Sequence, residues 1–416
     1  MPARHRLRVG NYTHHVFFSA AVDNLTARVV AEIGGLFVLL GLVARVASRW
    51  RFASAPLFLL VGLGLGEGGV VDLDFSQPFI QVSAEVGAIL LLLFLGLEFS
   101  ATTIVKQVRS HRRTAVVDVV LNAAPGAFVA FLLGWSPVLM FAMAGVTYVS
   151  SSGIATQVAR EMGWKSRPEW KSLIAVLVLE DLVMAPYLPV LTAIAGATSL
   201  FWGLTGVGIG LFVVAVLLYI GARGIKPFAV VLRADKGSSL LLTTLGLALL
   251  AGGVSALFDF SSAVAAFFVG LLITGEIAEA IRNRMAPLRD IFAAVFFVFF
   301  GLQTSPADIL SALPVALTLV AVTWATKVVT VYFALGEGNA PSISRRMCAL
   351  RGGSLLSARG EFSVAIGAVV SSIGIATTDW QGTVATYVIV SALVGPIVAR
   401  YCDRAVPNQT EVIPTY

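Results

Sequence analysis

Two adjacent carboxylic acids, Glu180 and Asp181, lie near the middle of a long apolar segment. Neighbouring residues on a helix point about 100° apart, so one carboxylate can face a cavity while the other faces a neighbouring helix. A cation needs oxygen ligands, and a proton carrier needs a carboxylate that gains and loses its proton. Because ionisable groups are costly inside a membrane, the pair predicts an ion- and proton-binding site. The alternative is a structural ion pair with Lys327.

Two basic residues, Lys327 and Arg359, also lie inside apolar segments. An ammonium group at that depth must pair with a carboxylate or lose its proton. Glu361 follows two residues after Arg359, so we expect Lys327, Arg359 and Glu361 to compensate charge near the acid pair. Asp118, near the start of another apolar segment, is expected to be a structural partner rather than to line an inner vestibule.

Two apolar segments contain residues that weaken a helix. One carries Ser150, Ser151 and Ser152 followed by a glycine. The other runs from Arg351 to Glu361, with three glycines and two serines between them. Unwound backbone at membrane depth is tolerated only where it lines a cavity, and half-helix ends there can bind ions. We therefore expect two broken helices, with the three serines at the ion site. The alternatives are small-residue helix packing in the first segment and a later helix start in the second.

The composition requires a membrane protein. Apolar residues make up 57% of the 416 residues and charged residues 12%, against about 25% charged residues in a soluble chain. Long apolar runs predict helices, because a helix satisfies its own backbone in lipid. Thirteen candidate spans lie at 27–47, 55–69, 80–99, 114–133, 137–159, 172–195, 200–222, 239–258, 260–277, 287–303, 311–333, 347–372 and 381–401.

The expected fold class is therefore an all-α polytopic membrane protein with about 13 transmembrane helices. The broken helices are spans 5 and 12, which are seven apart and so run in opposite directions, as inverted repeats require. This predicts an N-terminal tail at 1–26, a transmembrane exchanger domain at 27–405 and a C-terminal tail at 406–416. Within the domain, one repeat covers 27–195, a linker helix covers 200–222 and the second repeat covers 239–401.

The basic residues predict the orientation. Of the 29 Lys and Arg residues, 23 follow odd-numbered spans, and the loops after spans 2, 4, 6, 8, 10 and 12 contain none. Basic loops face the cytoplasm, which places the C-terminus there. A reporter fused after Arg404 should therefore read as cytoplasmic, and a cysteine placed at Ser199 should be labelled from outside. Cytoplasmic labelling at Ser199 would contradict the thirteen-span topology.

Other functions lack support in the sequence. The run Gly64-Leu-Gly-Glu-Gly-Gly69 matches a dinucleotide-binding pattern, but it ends an apolar span and lacks the βαβ context that such a site needs. No catalytic triad, metalloprotease motif or cysteine cluster is present in the sequence. We expect no enzyme activity, no cofactor and no nucleic-acid partner.

Several short motifs in this order resemble the monovalent cation:proton antiporter family 2, especially Kef-type potassium/proton antiporters. The resemblance covers nearly all of residues 25–405. Its markers are Leu-Gly-Leu-Glu-Phe at 95–99, Ser-Ser-Ser-Gly-Ile-Ala at 150–155, Val-Leu-Glu-Asp at 178–181, Ala-Pro-Leu-Arg-Asp-Ile-Phe at 286–292, Phe-Phe-Gly-Leu at 299–302, Lys327 and Arg-Gly-Glu-Phe at 359–362.

The resemblance implies a sodium/proton antiporter-like fold with two crossed broken helices. It also implies a homodimer in which a mobile core domain carries the ion by elevator-like alternating access. Asp181 would then be the acid that carries the alkali cation and the proton, with Lys327 pairing beside it. Kef-type proteins usually have Gln-Asp at the acid pair, and electrogenic sodium/proton members have Asp-Asp, whereas this chain has Glu180-Asp181. The ion and the stoichiometry are therefore open.

The resulting prediction is a bacterial inner-membrane antiporter that exchanges K⁺ or Na⁺ for H⁺. An ion channel and an ion-coupled symporter for an organic anion are the alternatives. Kef-type proteins also carry a C-terminal nucleotide-binding regulatory domain, and this sequence ends 15 residues after span 13. Such control would then be absent, removed from the chain or held on a separate cytoplasmic regulatory subunit.

Overall fold

The computed structural model describes residues 24–50, 54–66, 76–98, 112–167, 169–196, 237–257, 262–337 and 342–405, and these residues form helices and short connections without any strand. The helices are α1 (Asn24–Trp50), α2 (Ser54–Gly64), α3 (Gln77–Glu98), α4 (Arg112–Leu132), α5 (Pro137–Tyr148), α6 (Ser152–Glu161), α7 (Trp170–Ala195), α8 (Ser238–Ala256), α9 (Ser262–Leu271), α10 (Glu276–Leu302), α11 (Pro306–Glu337), α12 (Ser342–Leu356), α13 (Glu361–Ser372) and α14 (Thr378–Ala405).

The all-helical membrane fold is confirmed. Over the described ranges, nine candidate spans are long and apolar enough to cross a membrane, one of them made of α5 and α6 together. The apolar helices α2, α9 and α13 are shorter, at 10–12 residues. The count of thirteen stays a prediction, and the linker helix expected at 200–222 lies outside the described residues.

The boundary predicted between spans 9 and 10 is wrong. Helix α9 ends at Leu271 rather than at 277, and α10 begins at Glu276 rather than at 287. The chain turns at Gly275, whose φ is 72°, a backbone conformation that favours glycine. Glu276 and Glu279 then lie in the first turn of α10, where acids complement the helix dipole. The basic residues expected in this loop therefore lie on the helix, at positions 282, 284 and 289.

The helices pack in two groups. In the first group, α3 packs on α9 and α10, and α10 packs on α2. We call α2, α3, α9 and α10 the glycine bundle, because their backbones touch at glycine positions. A Cβ atom on Gly62 would overlap the Val298 carbonyl, and one on Gly96 would overlap the Phe267 carbonyl. We call α4–α7 and α11–α14 the core bundle, in which α11 packs on α4, α12 and α14.

Helices seven spans apart make matching contacts. The α3–α9 contact corresponds to the α10–α2 contact, and the α4–α5 contact corresponds to the α11–α12 contact. These pairings agree with the repeats expected at 27–195 and 239–401, whose boundaries stay a prediction.

Candidate functional site

The two broken helices cross each other at their breaks. The first break lies between α5 and α6, and the second lies between α12 and α13. The Ser151 backbone N–H donates to the Ala358 carbonyl over 2.8 Å, and the Ser363 hydroxyl donates to the Val146 carbonyl over 2.9 Å. Helix α5 contacts α13 while α6 contacts α12, so the two broken helices run in opposite directions, as predicted.

The crossing leaves no room for a side chain at position 360. A Cβ atom on Gly360 would overlap the hydroxyl and Cβ of Ser151. Ser150 also reaches across, with its Oγ 2.6 Å from the Leu356 carbonyl at the end of α12. The hydrogen bonds between the breaks satisfy backbone groups that no helix satisfies, which a membrane interior requires.

Arg359 is fully buried in the second break. Its guanidinium donates to the Tyr387 hydroxyl over 2.9 Å, and to Ser150 Oγ and the Leu356 carbonyl over 3.1 Å each. A positive charge thus lies at the C-terminal end of α12, where it complements the helix dipole.

Glu180 points into the core bundle. Its Oε2 accepts from the Ser150 backbone N–H, and its Oε1 lies 3.0 Å from Ser150 Oγ and 2.8 Å from Lys327 Nζ. Lys327 Nζ lies the same 2.8 Å from Asp118 Oδ1. Asp118, Glu180 and Lys327 are all fully buried, so Lys327 is shared between two carboxylates.

These contacts close into a ring that begins and ends on α11. From Lys327 the bonds run to Glu180, then to Ser150, then to Arg359 and Tyr387, whose hydroxyl donates to Thr323 Oγ1 over 3.0 Å. Thr323 lies one helical turn before Lys327. We call these six residues the polar ring.

Asp181 faces away from the ring. Its side chain lies at the wall of a cavity of about 910 Å³, and the residue is 9% exposed, whereas its neighbour Glu180 is fully buried. The structure thus splits the acid pair between a cavity and the protein interior, as the helical geometry predicted.

The cavity lies between the broken helices and the opposite wall that α1, α2, α3 and α10 form. Ser151, Ser152 and Glu361 join Asp181 on the polar wall, and Phe37 and Phe58 are among the apolar residues facing them. Carboxylate and hydroxyl oxygens on one wall can bind a cation or a proton, which is the chemistry expected for Asp181, Ser151 and Ser152. Ser150, the third serine expected at the ion site, lies in the polar ring instead.

Glu361 and Arg359 do not pair with each other in the described residues. Glu361 lies in the first turn of α13, half-buried at the cavity, and its Oε2 accepts from the Ser151 hydroxyl over 3.2 Å. Arg359 is held by the carbonyl end of α12 instead. The two charges therefore complement different half-helix ends, and Glu361 adds a second carboxylate to the cavity.

Sequence reasoning missed three neutral residues that bond to the buried charges or to the polar ring. They are Asn122, Thr323 and Tyr387. Asn122 bonds to Asp118 Oδ1 over 2.8 Å and to Thr330 Oγ1 over 3.0 Å. A signal was present in the spacing, because Asp118 and Asn122 are four residues apart and therefore share a helix face.

The fold and this site define a class of protein, a multi-pass membrane protein of the monovalent cation:proton antiporter class. The chain belongs to the transmembrane sodium/hydrogen exchanger family, whose family model matches residues 35–400.

Two curated relatives match nearly the whole chain. The K(+)/H(+) antiporter subunit KhtU of Bacillus subtilis is 28% identical over 388 residues, which are 90% of this chain and 94% of that protein. The Ammonium/H(+) antiporter subunit AmhT of Alkalihalophilus pseudofirmus is 24% identical over 380 residues, which are 88% of this chain and 92% of that protein.

A solved structure shares the fold. The sodium proton antiporter MjNhaP1 from Methanocaldococcus jannaschii superposes with a TM-score of 0.66 at 17% identity, covering 90% of this chain and 99% of that chain.

Proposed function

We propose that this protein exchanges K⁺ or Na⁺ for H⁺ across the bacterial inner membrane, and that cation and proton compete for the Asp181 carboxylate. The observation that carries the proposal is the position of Asp181, on the cavity wall beside Ser151 and Ser152. Occupancy by one ion excludes the other, so alternating access of the site to the two sides couples the two flows.

Glu180 is less suited to carry the ion. Both of its oxygens are engaged, by the Ser150 backbone and hydroxyl and by Lys327, and it is fully buried. Releasing Glu180 to a cation would leave the Ser150 N–H without its partner and would take one of two carboxylates from Lys327, which is costly in a buried site.

Transport in proteoliposomes tests the proposal. The purified protein is sealed into vesicles with a pH-sensitive dye, and K⁺, Na⁺, Li⁺, Rb⁺ and NH₄⁺ are compared across pH. We expect K⁺ or Na⁺ to drive proton movement in the opposite direction. Cation flux without proton movement would indicate a channel instead, and proton movement driven only by an organic anion would indicate a symporter.

The relatives guide the choice of ions and partners. KhtU is named for K⁺ and AmhT for ammonium, and both are named as subunits, which supports a second kind of subunit here. We propose that this subunit is cytoplasmic and regulatory. We further propose that the protein works as a homodimer and that its C-terminus lies in the cytoplasm, as the distribution of basic residues indicates.

Glu361 should strengthen cation binding without carrying the exchanged proton. We expect Glu361→Gln to raise the KM for the cation about tenfold with little change in kcat, because one negative charge leaves the cavity wall while Asp181 remains. Initial exchange rates over a cation series give both constants. A matched control is Gln157→Ala, which changes a neutral group lining the same cavity. An unchanged KM in Glu361→Gln would limit that residue to capping α13.

A further inference from the structure

We propose that Asp118 is a positioning residue that fixes the stoichiometry, because it is a second permanent counter-charge for Lys327. On this proposal Lys327 keeps its proton throughout the transport cycle, and one proton moves per cation. The inference rests on the proposed function, since it concerns the exchange that takes place at Asp181.

The first support is geometric. Lys327 Nζ lies 2.8 Å from one oxygen of Asp118 and 2.8 Å from one oxygen of Glu180, and all three side chains are fully buried. Asp118 is itself held in place by Asn122, which bonds to its Oδ1 over 2.8 Å. Asn122 is in turn fixed by α11, where Thr326 donates to its Oδ1 over 2.8 Å. The second carboxylate is therefore built into the site from two helices.

The second support is the charge balance. Two acids, Asp118 and Glu180, and two bases, Lys327 and Arg359, lie together in the core bundle, and we call them the charge cluster. Arg359 is surrounded by neutral partners, the hydroxyls of Ser150 and Tyr387 and the Leu356 carbonyl. With all four groups ionised, the cluster has no net charge.

The helices that place polar groups next to Lys327 agree with this balance. Helix α4 contributes Asp118 and Asn122, α5 contributes Tyr148, and α7 contributes Glu180 with Asp181 next to it. Lys327 also points towards the Tyr148 carbonyl over 3.4 Å, and its own helix adds Thr326 and Thr330. In the described part of the chain, the ionisable groups that surround Lys327 are thus the other members of the charge cluster, Tyr148 and Asp181.

The balance determines what happens when a cation reaches Asp181. A neutral cluster neither expels the cation nor needs to release a proton, so the cation replaces only the proton of Asp181. If Asp118 were neutral, the cluster would carry one excess positive charge beside the site. That charge would repel the cation and would be relieved by loss of the Lys327 proton, which would move two protons per cation.

The test uses full-length protein in sealed vesicles. The membrane potential is set by valinomycin and a K⁺ gradient, and Na⁺-driven exchange is followed with a pH dye. If the protein transports K⁺ only, the potential is set by Na⁺ diffusion without a protonophore, and K⁺-driven exchange is followed with the same dye. Wild type should exchange at a rate independent of the imposed potential. Asp118→Asn should raise the KM for the cation roughly tenfold, the order expected for one unit charge at an effective dielectric near 20, and its exchange should depend on potential.

Charge-balance rescue separates this role from a structural one. Asp118→Asn combined with Lys327→Gln removes one charge of each sign, so the KM should return to within about threefold of wild type and the potential dependence should disappear. Asn122→Ala removes hydrogen bonds of Asp118 but no charge, and its exchange should weaken while staying independent of potential. Should Asp118→Asn fail to fold, the double variant is compared with Lys327→Gln alone, whose cluster carries one excess negative charge and whose KM for the cation should therefore be lower than that of the double variant.

Two results would overturn the inference. One is potential-dependent exchange in wild type. The other is a double variant whose KM for the cation is not lower than that of Asp118→Asn or, in the comparison with Lys327→Gln, not higher than that of Lys327→Gln. A wild-type protein that shows no cation-driven proton movement would instead overturn the proposed function.

Discussion

Asp181→Asn should abolish cation-driven proton exchange while the protein stays folded. The amide is nearly the same size as the carboxylate but neither ionises nor releases a proton, so cation and proton lose their shared ligand. The residue lies at the cavity wall and is 9% exposed, so the change adds little strain to the interior. Exchange is measured as dye dequenching in vesicles, and folding is checked by size-exclusion chromatography and thermal unfolding.

Glu180→Gln is the matched control, because it makes the same chemical change one residue earlier. We expect part of the exchange to remain, with an altered pH optimum and lower thermal stability. The Gln amide can still accept from Lys327 with its oxygen, but its NH₂ group cannot accept the Ser150 N–H that Glu180 Oε2 accepts. Full loss of exchange in well-folded Glu180→Gln protein would make Glu180 a carrier and reverse the assignment.

Lys327→Ala should destabilise the protein more than any neutral change in the core bundle. It leaves the buried carboxylates of Asp118 and Glu180 without their shared cation, which typically costs roughly 3–5 kcal/mol when a buried ion pair loses one partner. The pH profile of transport should shift as well, because the two acids can lower this cost by taking up a proton. Thermal unfolding in detergent and exchange rates across pH measure the two effects.

Thr330→Val provides the comparison for Lys327→Ala. Thr330 lies on the same helix as Lys327, three residues further on. It accepts one neutral hydrogen bond from Asn122 of α4, and valine has nearly the same shape. Its loss should cost about 1 kcal/mol. Equal stability and an equal pH profile in Lys327→Ala and Thr330→Val protein would show that Lys327 does not serve as a charged partner.

The sequence predicted the charged parts of the site better than the neutral parts. Glu180, Lys327 and Arg359 stand out because each is rare and costly in an apolar span, so even one residue indicates a function. Tyr387 and Thr323 carry no such signal, since neutral hydroxyls occur throughout membrane helices and can bond to their own backbone. Their role depends on which helices meet, and that packing is not readable from a single span.

Partners were harder to predict than positions. The prediction that Lys327 lies beside the acid pair agrees with its ion pair with Glu180, but its second ion pair, with Asp118, was not predicted. Asp118 and Lys327 are 209 positions apart in the chain, and only the α4–α11 contact brings them together. Helix ends were also misplaced where a helix continues beyond its apolar part, as at the start of α10, because hydropathy marks the apolar part and not the helix.

The touching backbones of the glycine bundle have a mechanical consequence. Gly62 and Gly301 place α2 and α10 in direct contact, and Gly96 and Gly270 do the same for α3 and α9. Helices separated by a layer of side chains can slide as rotamers change, but helices whose main chains interlock resist shear. We therefore expect these four helices to move as one rigid body in the bilayer. The conformational change during each turnover would then be concentrated along the cavity that borders them.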